Sequence, residues 1–455
     1  MKNRFKKTVS AIIALLMIAA LLPAGFVSFA ETSNGTCGES LTWTMDDDGN
    51  LVISGTGAMD DFMFRGPWGY AARNVVIGEG VTSIGESAFG EISIRSVSIP
   101  STVASIGENA FYKCYKLESI TVASGSGDYA VNGGCLIETK TGTLITAAVG
   151  SSIPDDGSVK AIAKEAFAYF DWMTDPVIPD SVTSVGYWAF DRTGYAENDD
   201  NWENGALYIG KWLIDCEDYE LPDRFEVKPG TVGVAGKAAM NCDFTELVLP
   251  DSLKYIGYSA FQSERKLTSL TLPASIEVIE EWAFGYCPKI TSVTVPAGVE
   301  NVGPYAFYCC NALKTINLNE GLKNIGNCAF YISADGSYDP PTIPFSVKSI
   351  GSNSFRCGNL KLRVYEYSYA LKYAVENEIS YELLPHDPPP AIKGDMDGDG
   401  EITVADALKA LRIAAKLVQP TDQDILLGDA DGDGEITVAD ALKILRVAAK
   451  LTDSL

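Results

Sequence analysis

The sequence predicts a mainly β solenoid of short parallel strands with capping elements at its ends, followed by a small all-α domain. Two observations support this fold class. A unit of 23 residues recurs in the middle of the chain, so that Ile256, Ile279 and Val302 are equally spaced. Near the C-terminus, two acidic loops of almost identical sequence each precede an amphipathic segment. A fixed period in the twenties with recurring apolar positions is typical of stacked coils that share one core.

Residues 1–30 have the pattern of a secretion signal. A basic start is followed by an apolar run at 11–22 and by a small-x-small cleavage motif at 28–30. We expect a secreted protein with no membrane span after signal removal, because no later apolar stretch is long enough to replace the signal. The formal net charge of −25 argues against nucleic acid and anionic membranes as partners, since both need basic patches.

Residues 31–80 do not fit the repeat and predict an N-terminal β cap, which a solenoid needs to cover its first apolar face. Asp46, Asp47 and Asp48, followed by Gly49, lie between two strand-like stretches. This pattern favours a hairpin turn, and a metal site is the alternative.

Each repeat encodes one coil. Alternating apolar residues, as at Leu267, Leu270 and Leu272, predict a short strand, and the proline that follows ends it because proline lacks an N–H donor. An Ile-Gly-x-x-Ala-Phe segment then turns the chain. Its glycine is predicted to allow the bend, its alanine to face inward and its phenylalanine to fill the middle. The coil at Val234 has Ala239 in place of phenylalanine, and we expect a neighbouring side chain to fill that layer.

The unit resembles the leucine-rich repeats of the BspA-like family of bacterial surface proteins, whose pattern is LxxLxLPxxLxxIGxxAFxxC, over residues 81–384. The resemblance implies a curved or straight solenoid on a secreted protein that binds a protein or glycan rather than performing chemistry. Two stretches interrupt the repeats, at about 124–157 and 192–230, and each predicts a protruding hairpin. A helix candidate followed by a strand at 365–384 predicts a C-terminal cap.

The ten cysteines allow two interpretations. In a secreted chain they suggest disulfides, and Cys287 and Cys310 are candidates for a bridge. However, Cys114, Cys242, Cys287 and Cys310 occupy the same position of the repeat, three residues after the Ala-Phe pair. That regularity favours a ladder of free thiols in the core.

Two aromatic residues in the second interruption, Tyr195 and Trp202, also allow two interpretations. Exposed aromatic rings stack on sugars, so a glycan contact is one of them. Packing of both rings between the hairpin and the solenoid is the other, and we favour it.

The proline-rich stretch 385–393 predicts an extended linker. The tail, residues 394–455, contains two near copies 34 residues apart. Carboxylates at loop positions 1, 3, 5 and 12, with glycine at position 6, match an EF-hand calcium loop, in which position 7 offers its backbone carbonyl and position 9 acts through a water. An acidic solvated turn is the alternative, but both loops would have to match by chance. The predicted ligand residues for two calcium ions are Asp395, Asp397, Asp399, Glu401, Thr403 and Asp406, and then Asp429, Asp431, Asp433, Glu435, Thr437 and Asp440.

The duplicated unit resembles the type I dockerin domain over the whole tail, with one helix after each loop, predicted at 404–417 and 438–451. Two features depart from the pattern: position 12 is aspartate rather than the EF-hand glutamate, and Val-Ala at positions 10 and 11 leaves the cohesin class open. The resemblance implies a calcium-dependent fold that binds a cohesin module of a scaffoldin. Carried over by position, the partner contacts are Val404, Ala405, Leu411, Arg412 and Lys416, and then Val438, Ala439, Leu445, Arg446 and Lys450.

These features predict a secreted, non-catalytic component of a cellulosome-like complex for polysaccharide degradation, extracellular or held at the cell surface through a scaffold protein. A cell-surface adhesin or host-interaction protein is the alternative. An enzyme is less favoured. Repeat carboxylates such as Glu277, Glu280 and Glu300 lie at variable surface positions, and the only histidine, His386, lies in the linker.

Overall fold

The structure, a computed structural model, describes residues 33–217, 221–333, 339–385, 392–397 and 401–452. The predicted secretion signal, most of the predicted linker with His386, and the predicted ligand Asp399 lie outside these residues. The chain divides into two compact units, one ending at Tyr129 and the other beginning at Ala130.

The first unit starts as an antiparallel meander and continues as stacked coils. Its strands are β1 Ser33–Gly38, β2 Leu41–Met45, β3 Asn50–Gly55, β4 Gly57–Ala58, β5 Asn74–Ile77, β6 Val81–Ile84, β7 Ser96–Ile99, β8 Ser105–Ile106 and β9 Ser119–Val122, with a 3-10 turn at Gly69–Ala71. They form two sheets, in the orders β1-β2-β3-β5-β7-β9 and β4-β6-β8. The coils therefore have a parallel ladder on two sides.

The meander occupies the region of the predicted cap, and its last strand already belongs to the parallel ladder. β3 pairs with β5, with Leu51 beside Val75 and Ile53 beside Ile77. Trp68 stacks on the phenylalanine of the first regular coil. The stack of coils therefore begins before residue 81.

The acidic run of the cap closes a hairpin between β2 and β3. The Asp46 carboxylate accepts hydrogen bonds from the backbone N–H groups of Asp48 (3.1 Å) and Asn50 (2.8 Å), and Gly49 has a φ of +81°. The hairpin interpretation of this stretch is confirmed.

The second unit continues with coils of the same kind. The strands in order are β10 Tyr129–Asn132, β11 Cys135–Glu138, β12 Thr143–Ala147, β13 Ala161–Ile162, β14 Ser184–Val185, β15 Trp202–Glu203, β16 Ala206–Ile209, β17 Trp212–Cys216, β18 Arg224–Glu226, β19 Gly233–Val234, β20 Glu246–Val248, β21 Tyr255–Ile256, β22 Val278–Ile279, β23 Ser292–Val295, β24 Asn301–Val302, β25 Thr315–Leu318, β26 Asn324–Ile325 and β27 Ser349–Ile350, with a 3-10 turn at Asp199–Asn201. The longest sheet runs β15-β16-β17-β19-β21-β22-β24-β26-β27.

This longest sheet passes through the Ile-Gly motif, which the sequence analysis assigned to a turn. Ile256 lies beside Ile279, and Val302 lies beside Ile325. The alternating segment predicted as the strand is paired in some coils, as in β23 with β25, but residues 267–272 form no strand. From β19 onward, the strands of this sheet are two residues long, which is too short for an alternating pattern to appear in the sequence.

Both predicted hairpins form, but they do not protrude. β11 pairs antiparallel with β12, and β16 with β17. β12 then pairs in parallel with β13, and β17 with β19, so the second strand of each hairpin continues the ladder. Leu144 and Leu213 are fully buried because they occupy ladder positions.

The Ala-Phe pairs fill the centre of the coils, as predicted. Ala306 is fully buried, and the rings of Phe284, Phe307 and Phe330 stack with centroids 5.5 and 5.3 Å apart. Each ring packs on the rings above and below it, so the apolar face of one coil is covered by the next.

The glycine of the Ile-Gly motif permits close approach of the coils rather than a bend. A Cβ atom on Gly303 would lie 2.5 Å from the backbone of Glu280 and Glu281. The left-handed residue of the turn comes two positions later, at Tyr305 (φ +57°), and at its counterpart Trp282 (φ +60°) in the preceding coil. The predicted reason for the glycine was therefore wrong.

The C-terminal end of the repeats carries the helix and the strand that the sequence predicts. The elements are β28 Lys361–Tyr365, α1 Tyr369–Glu376 and β29 Ser380–Leu384. Ser368 caps α1 by accepting a hydrogen bond from Leu371 N (3.1 Å), and Ala370 joins the core of the repeats.

The described part of the tail contains three helices, α2 Val404–Ala414, α3 Asp422–Gly428 and α4 Val438–Ala448. α2 and α4 correspond to the two predicted helices but end earlier, because Lys416 (φ +58°) and Lys450 (φ +55°) adopt the left-handed conformation that closes a helix. The connecting helix α3 was not predicted.

Candidate metal centre

The tail has a small core of its own. Its buried members are Met396, Ala407, Ala410, Ile413, Leu427, Ala441 and Ile444. So few apolar side chains stabilise a fold only weakly, and domains of this size usually need a metal or disulfides as well. The loops that precede α2 and α4 are therefore important for the fold.

In the first loop, Asp395, Asp397 and Asp406 bring carboxylate oxygens within 4.8 Å of one another. Asp406 is fully buried. Its Oδ1 accepts hydrogen bonds from Met396 N (2.7 Å) and Asp397 N (3.0 Å), and its Oδ2 accepts one from Thr403 N (2.7 Å). Asp406 thus joins the beginning of the loop to its end.

In the second loop, Asp429, Asp431 and Asp433 form the corresponding group, also within 4.8 Å. Asp429 accepts hydrogen bonds from the N–H groups of Gly432 (2.7 Å), Asp433 (3.1 Å) and Gly434 (2.9 Å). The bond from Gly434, helped by the other two, holds the pKa of Asp429 below its usual value. The loop backbone therefore favours a charged carboxylate.

The threonines at loop position 9 are helix caps. The hydroxyls of Thr403 and Thr437 donate to Asp406 (3.0 Å) and Asp440 (2.7 Å), and each also accepts a hydrogen bond from the helix backbone. Burial raises the pKa of Asp440, but hydrogen bonds from Thr437 and Asp431 outweigh it and hold the pKa below its usual value. These residues stabilise both the loop and the start of the helix.

Six of the predicted ligand residues form the two aspartate groups. Among the described residues, the first group holds loop positions 1, 3 and 12, and the second holds positions 1, 3 and 5. Glu401 and Glu435 are exposed, which is compatible with a position that offers only its backbone carbonyl. Asp399 lies outside the described residues.

The chemistry of these donors fits a hard divalent cation. Calcium takes six to eight oxygen ligands, whereas zinc and copper sites rely on cysteine and histidine, which neither loop contains. Asp395, Asp397 and Asp406 would hold one ion, and Asp429, Asp431 and Asp433 the other.

Two lysines were missed by the sequence analysis. Lys409 Nζ donates to Met396 O at 2.7 Å in the first loop and lies 2.7 Å from Asp424 Oδ1 on α3. Lys443 Nζ donates to Ala430 O at the corresponding place in the second loop, at 3.4 Å. Their spacing of 34 residues, equal to that of the loops, was the signal that could have identified them.

The residues predicted to contact a partner all lie on exposed surface. Val404 and Val438 each expose 62% of their surface. The other eight are exposed as well: Ala405, Leu411, Arg412, Lys416, Ala439, Leu445, Arg446 and Lys450. Leu408 and Leu442 extend the apolar part of this surface beyond the ten predicted contacts. α2 and α4 therefore present matching apolar and basic surfaces.

The aromatic residues of the second interruption pack onto the fold. Tyr195 Oη donates to Tyr208 O (2.9 Å), and Trp202 Nε1 donates to Ala196 O (2.8 Å). Both rings pack against the core of the second unit. The packing interpretation is confirmed.

Two of the repeat carboxylates considered as catalytic residues form ion pairs between neighbouring coils. Glu277 lies 2.7 Å from Lys254, and Glu300 lies 2.8 Å from Lys323. Glu280, which was predicted at a surface position, is instead half-buried, and burial raises its pKa. Such exposed pairs contribute little to stability, typically below about 1 kcal/mol each.

The repeats identify the family. The model of the BspA type leucine rich repeat region matches residues 62–133, 150–212 and 234–361 in six copies, more than half of the chain. The chain belongs to this family. BspA type repeat proteins are typically secreted or at the cell surface, leucine-rich repeat proteins in general bind rather than catalyse, and no enzyme family is indicated.

Three solved structures are similar to this BspA type protein. A leucine rich cell surface protein from Faecalibacterium prausnitzii has 18% identity over 72% of this chain and 96% of its own, with a TM-score of 0.30. A leucine-rich repeat protein from Eubacterium ventriosum has the same identity and coverage, with a TM-score of 0.26. The pneumococcal vaccine antigen PcpA has 14% identity over 79% of this chain and 100% of its own, with a TM-score of 0.35.

No curated protein matches the chain. Among the residues that the structure describes, no helix has both the length and the apolar character needed to cross a membrane.

Proposed function

We propose that this protein is a secreted binding protein whose repeats recognise a protein ligand and whose tail is a calcium-dependent docking module of the type I dockerin kind. The partner of the tail would be a cohesin module of a scaffoldin, in a cellulosome-like complex. The observation that carries the proposal is the pair of aspartate groups, one in each loop, each next to a helix with the same exposed surface.

A bound calcium ion would neutralise the repulsion among three carboxylates held within 4.8 Å. The protein's own residues then transmit the order of the loop to the helix. Asp406 ties Met396 and Asp397 to Thr403, the residue that caps α2. An ordered loop therefore fixes the start of the helix that carries the exposed partner surface.

The test is binding of the full chain to a cellulosomal cohesin module, with calcium and with excess chelator. We expect binding in calcium only, and loss of binding when Asp395 and Asp429 are both changed to alanine. Asp48→Ala, in the hairpin turn of the cap, is the matched control and should bind normally. Binding that persists in chelator would contradict the calcium dependence.

Because α2 and α4 present the same surface, we propose that either helix can engage the cohesin. Leu411→Ala or Leu445→Ala alone should then weaken binding only slightly, whereas the double variant should abolish it. If one single variant abolishes binding, the two-orientation hypothesis is wrong.

Failure to bind any cohesin module would favour the adhesin alternative, in which the tail attaches the repeats to a different receptor. Hydrolysis of plant polysaccharides by the full chain would instead indicate an enzyme. The repeat carboxylates paired between coils, such as Glu277 with Lys254, give no support to that outcome.

A further inference from the structure

A band of aromatic side chains follows the turn after the Ile-Gly motif in successive coils of the second unit. Its members are Tyr187, Trp188, Tyr258, Trp282, Tyr286, Tyr305, Tyr308 and Tyr331. The repeat does not require aromatic residues here, because serine, asparagine or glutamate stands at the position of Trp282 in other coils, at Ser259, Asn109 and Glu165.

At one end of the band, the rings surround a lysine of the chain itself. Lys237 Nζ lies 4.0 Å from the ring centroid of Trp188, 4.3 Å from that of Tyr187 and 6.0 Å from that of Tyr258. A cation over aromatic faces is attracted by their negative potential. This end of the band is thus an aromatic cage that already holds a cation.

At the other end, five rings form a continuous group, which we call the aromatic patch: Trp282, Tyr286, Tyr305, Tyr308 and Tyr331. Trp282 stacks on Tyr305 at 4.4 Å, and Tyr308 stacks on Tyr331 at 4.9 Å. Tyr286 exposes 44% of its surface, and the other four are half-buried.

The aromatic patch lacks a central cation of the kind that Lys237 provides. Within the described ranges, no lysine or arginine lies over Trp282, Tyr286, Tyr305 or Tyr308, and Arg356 lies 5.9 Å from the ring centroid of Tyr331 at the edge of the patch. Glu281 directly precedes Trp282 in the chain, and the whole chain has a net charge of −25.

The rings of the patch stack on one another, Trp282 against Tyr286 as well as Tyr305, and Tyr286 is the exposed member. We propose that the aromatic patch binds a lysine or arginine side chain of a basic partner protein at its exposed ring, Tyr286, through the same attraction between a cation and an aromatic ring that acts on Lys237. The proposal rests on the proposed function, since it names the site and the ligand class of the repeats. Charge favours this occupant over a neutral glycan, because the net negative charge of the chain attracts a cation and adds nothing to sugar binding.

The test uses the full chain and an oligolysine peptide, with binding measured by calorimetry and by tryptophan fluorescence at low and high salt. Tyr286→Asn and Tyr305→Asn remove rings at positions where other coils have Asn241 and Asn109, both with positive φ, so the fold should tolerate them. We expect the double variant to bind the peptide about tenfold more weakly than the wild type does. The matched control is Tyr115→Asn, an exposed ring that Lys116 already covers.

A gain of binding provides a second readout. Lys237→Ser empties the cage and places serine where Ser259 stands in the next coil, again with positive φ. We expect this variant to bind the peptide at one additional site, and we expect Tyr286→Asn not to remove that site.

Equal peptide binding by wild type and the double variant would show attraction to the acidic surface as a whole and would overturn the site. Binding of a neutral cello-oligosaccharide at the patch, without peptide binding, would overturn the ligand class. Neither outcome affects the calcium-dependent tail, whose cohesin test is independent of the patch.

Discussion

The ring of Phe244 meets the ring of Phe261 edge to face, with centroids 6.3 Å apart, in the layer where Ala239 takes the place of the usual phenylalanine. Phe244 is fully buried and also contacts Phe225 at 5.7 Å. A side chain five residues further along the chain thus fills the space that Ala239 leaves. The expectation that a neighbour fills this layer is confirmed.

Exchanging the side chains at positions 239 and 244 tests this packing. Ala239→Phe should lower the free energy of unfolding by about 1–3 kcal/mol because the layer is already full. Phe244→Ala should lower it by about 3–5 kcal/mol because it leaves a cavity. The double variant, measured by chemical denaturation, should lose less than the sum of the two. Additive losses would show that the two rings do not compete for one space.

The periodicity of the sequence predicted the coils and their core, because apolar residues that recur at a fixed interval indicate buried positions. It did not predict the left-handed residues of each turn, because tryptophan and tyrosine fill them at Trp282 and Tyr305 where glycine would be the usual indication. In the tail, the spacing of the aspartates predicted both carboxylate groups. It could not show the hydrogen bonds that tie Asp406 and Asp440 to the loop backbone, because these depend on the path of each loop.

Glu264 is buried in the core at the position that cysteine occupies in neighbouring coils, such as Cys242 and Cys287. Its Oε1 accepts a hydrogen bond from Cys242 N (2.8 Å), and among the described residues its Oε2 has no hydrogen-bond partner. Burial raises the pKa of this carboxyl from 4.5 to about 8.

Glu264 should therefore make the stability of the repeats depend on pH. Between about pH 4.5 and 8, the folded state keeps a proton that the unfolded state has lost, so the free energy of unfolding falls as pH rises and levels off above 8. Glu264→Gln should flatten this slope in denaturation curves measured from about pH 3.5 to 9, which is about one unit beyond each limit. Glu277→Gln, an exposed control, should leave the slope unchanged.

The ten cysteines are all free thiols in the structure, and six of them are buried. Burial raises the pKa of the Cys114 thiol above its usual range, and reagents attack the thiolate. In the folded protein we expect half-buried thiols such as Cys309 and Cys328 to react first. After denaturation without reductant, all ten should titrate. A smaller total would indicate disulfides, with Cys287 and Cys310 the first pair to examine by mass spectrometry.

Calcium removal should destabilise the tail and leave the repeats folded, because the tail core is small whereas the repeats share a long stack of buried rings. Calorimetry of the full chain should show a tail transition that moves to lower temperature in excess chelator. Calcium at one hundred times its dissociation constant would add about 2.7 kcal/mol per site. Asp429→Asn should lower the tail transition in calcium, since it removes a charge from the second aspartate group, and Asp48→Asn in the cap should not. If the tail transition stays in place when calcium is chelated, the aspartate groups are solvated turns whose hydrogen bonds suffice to hold the loops.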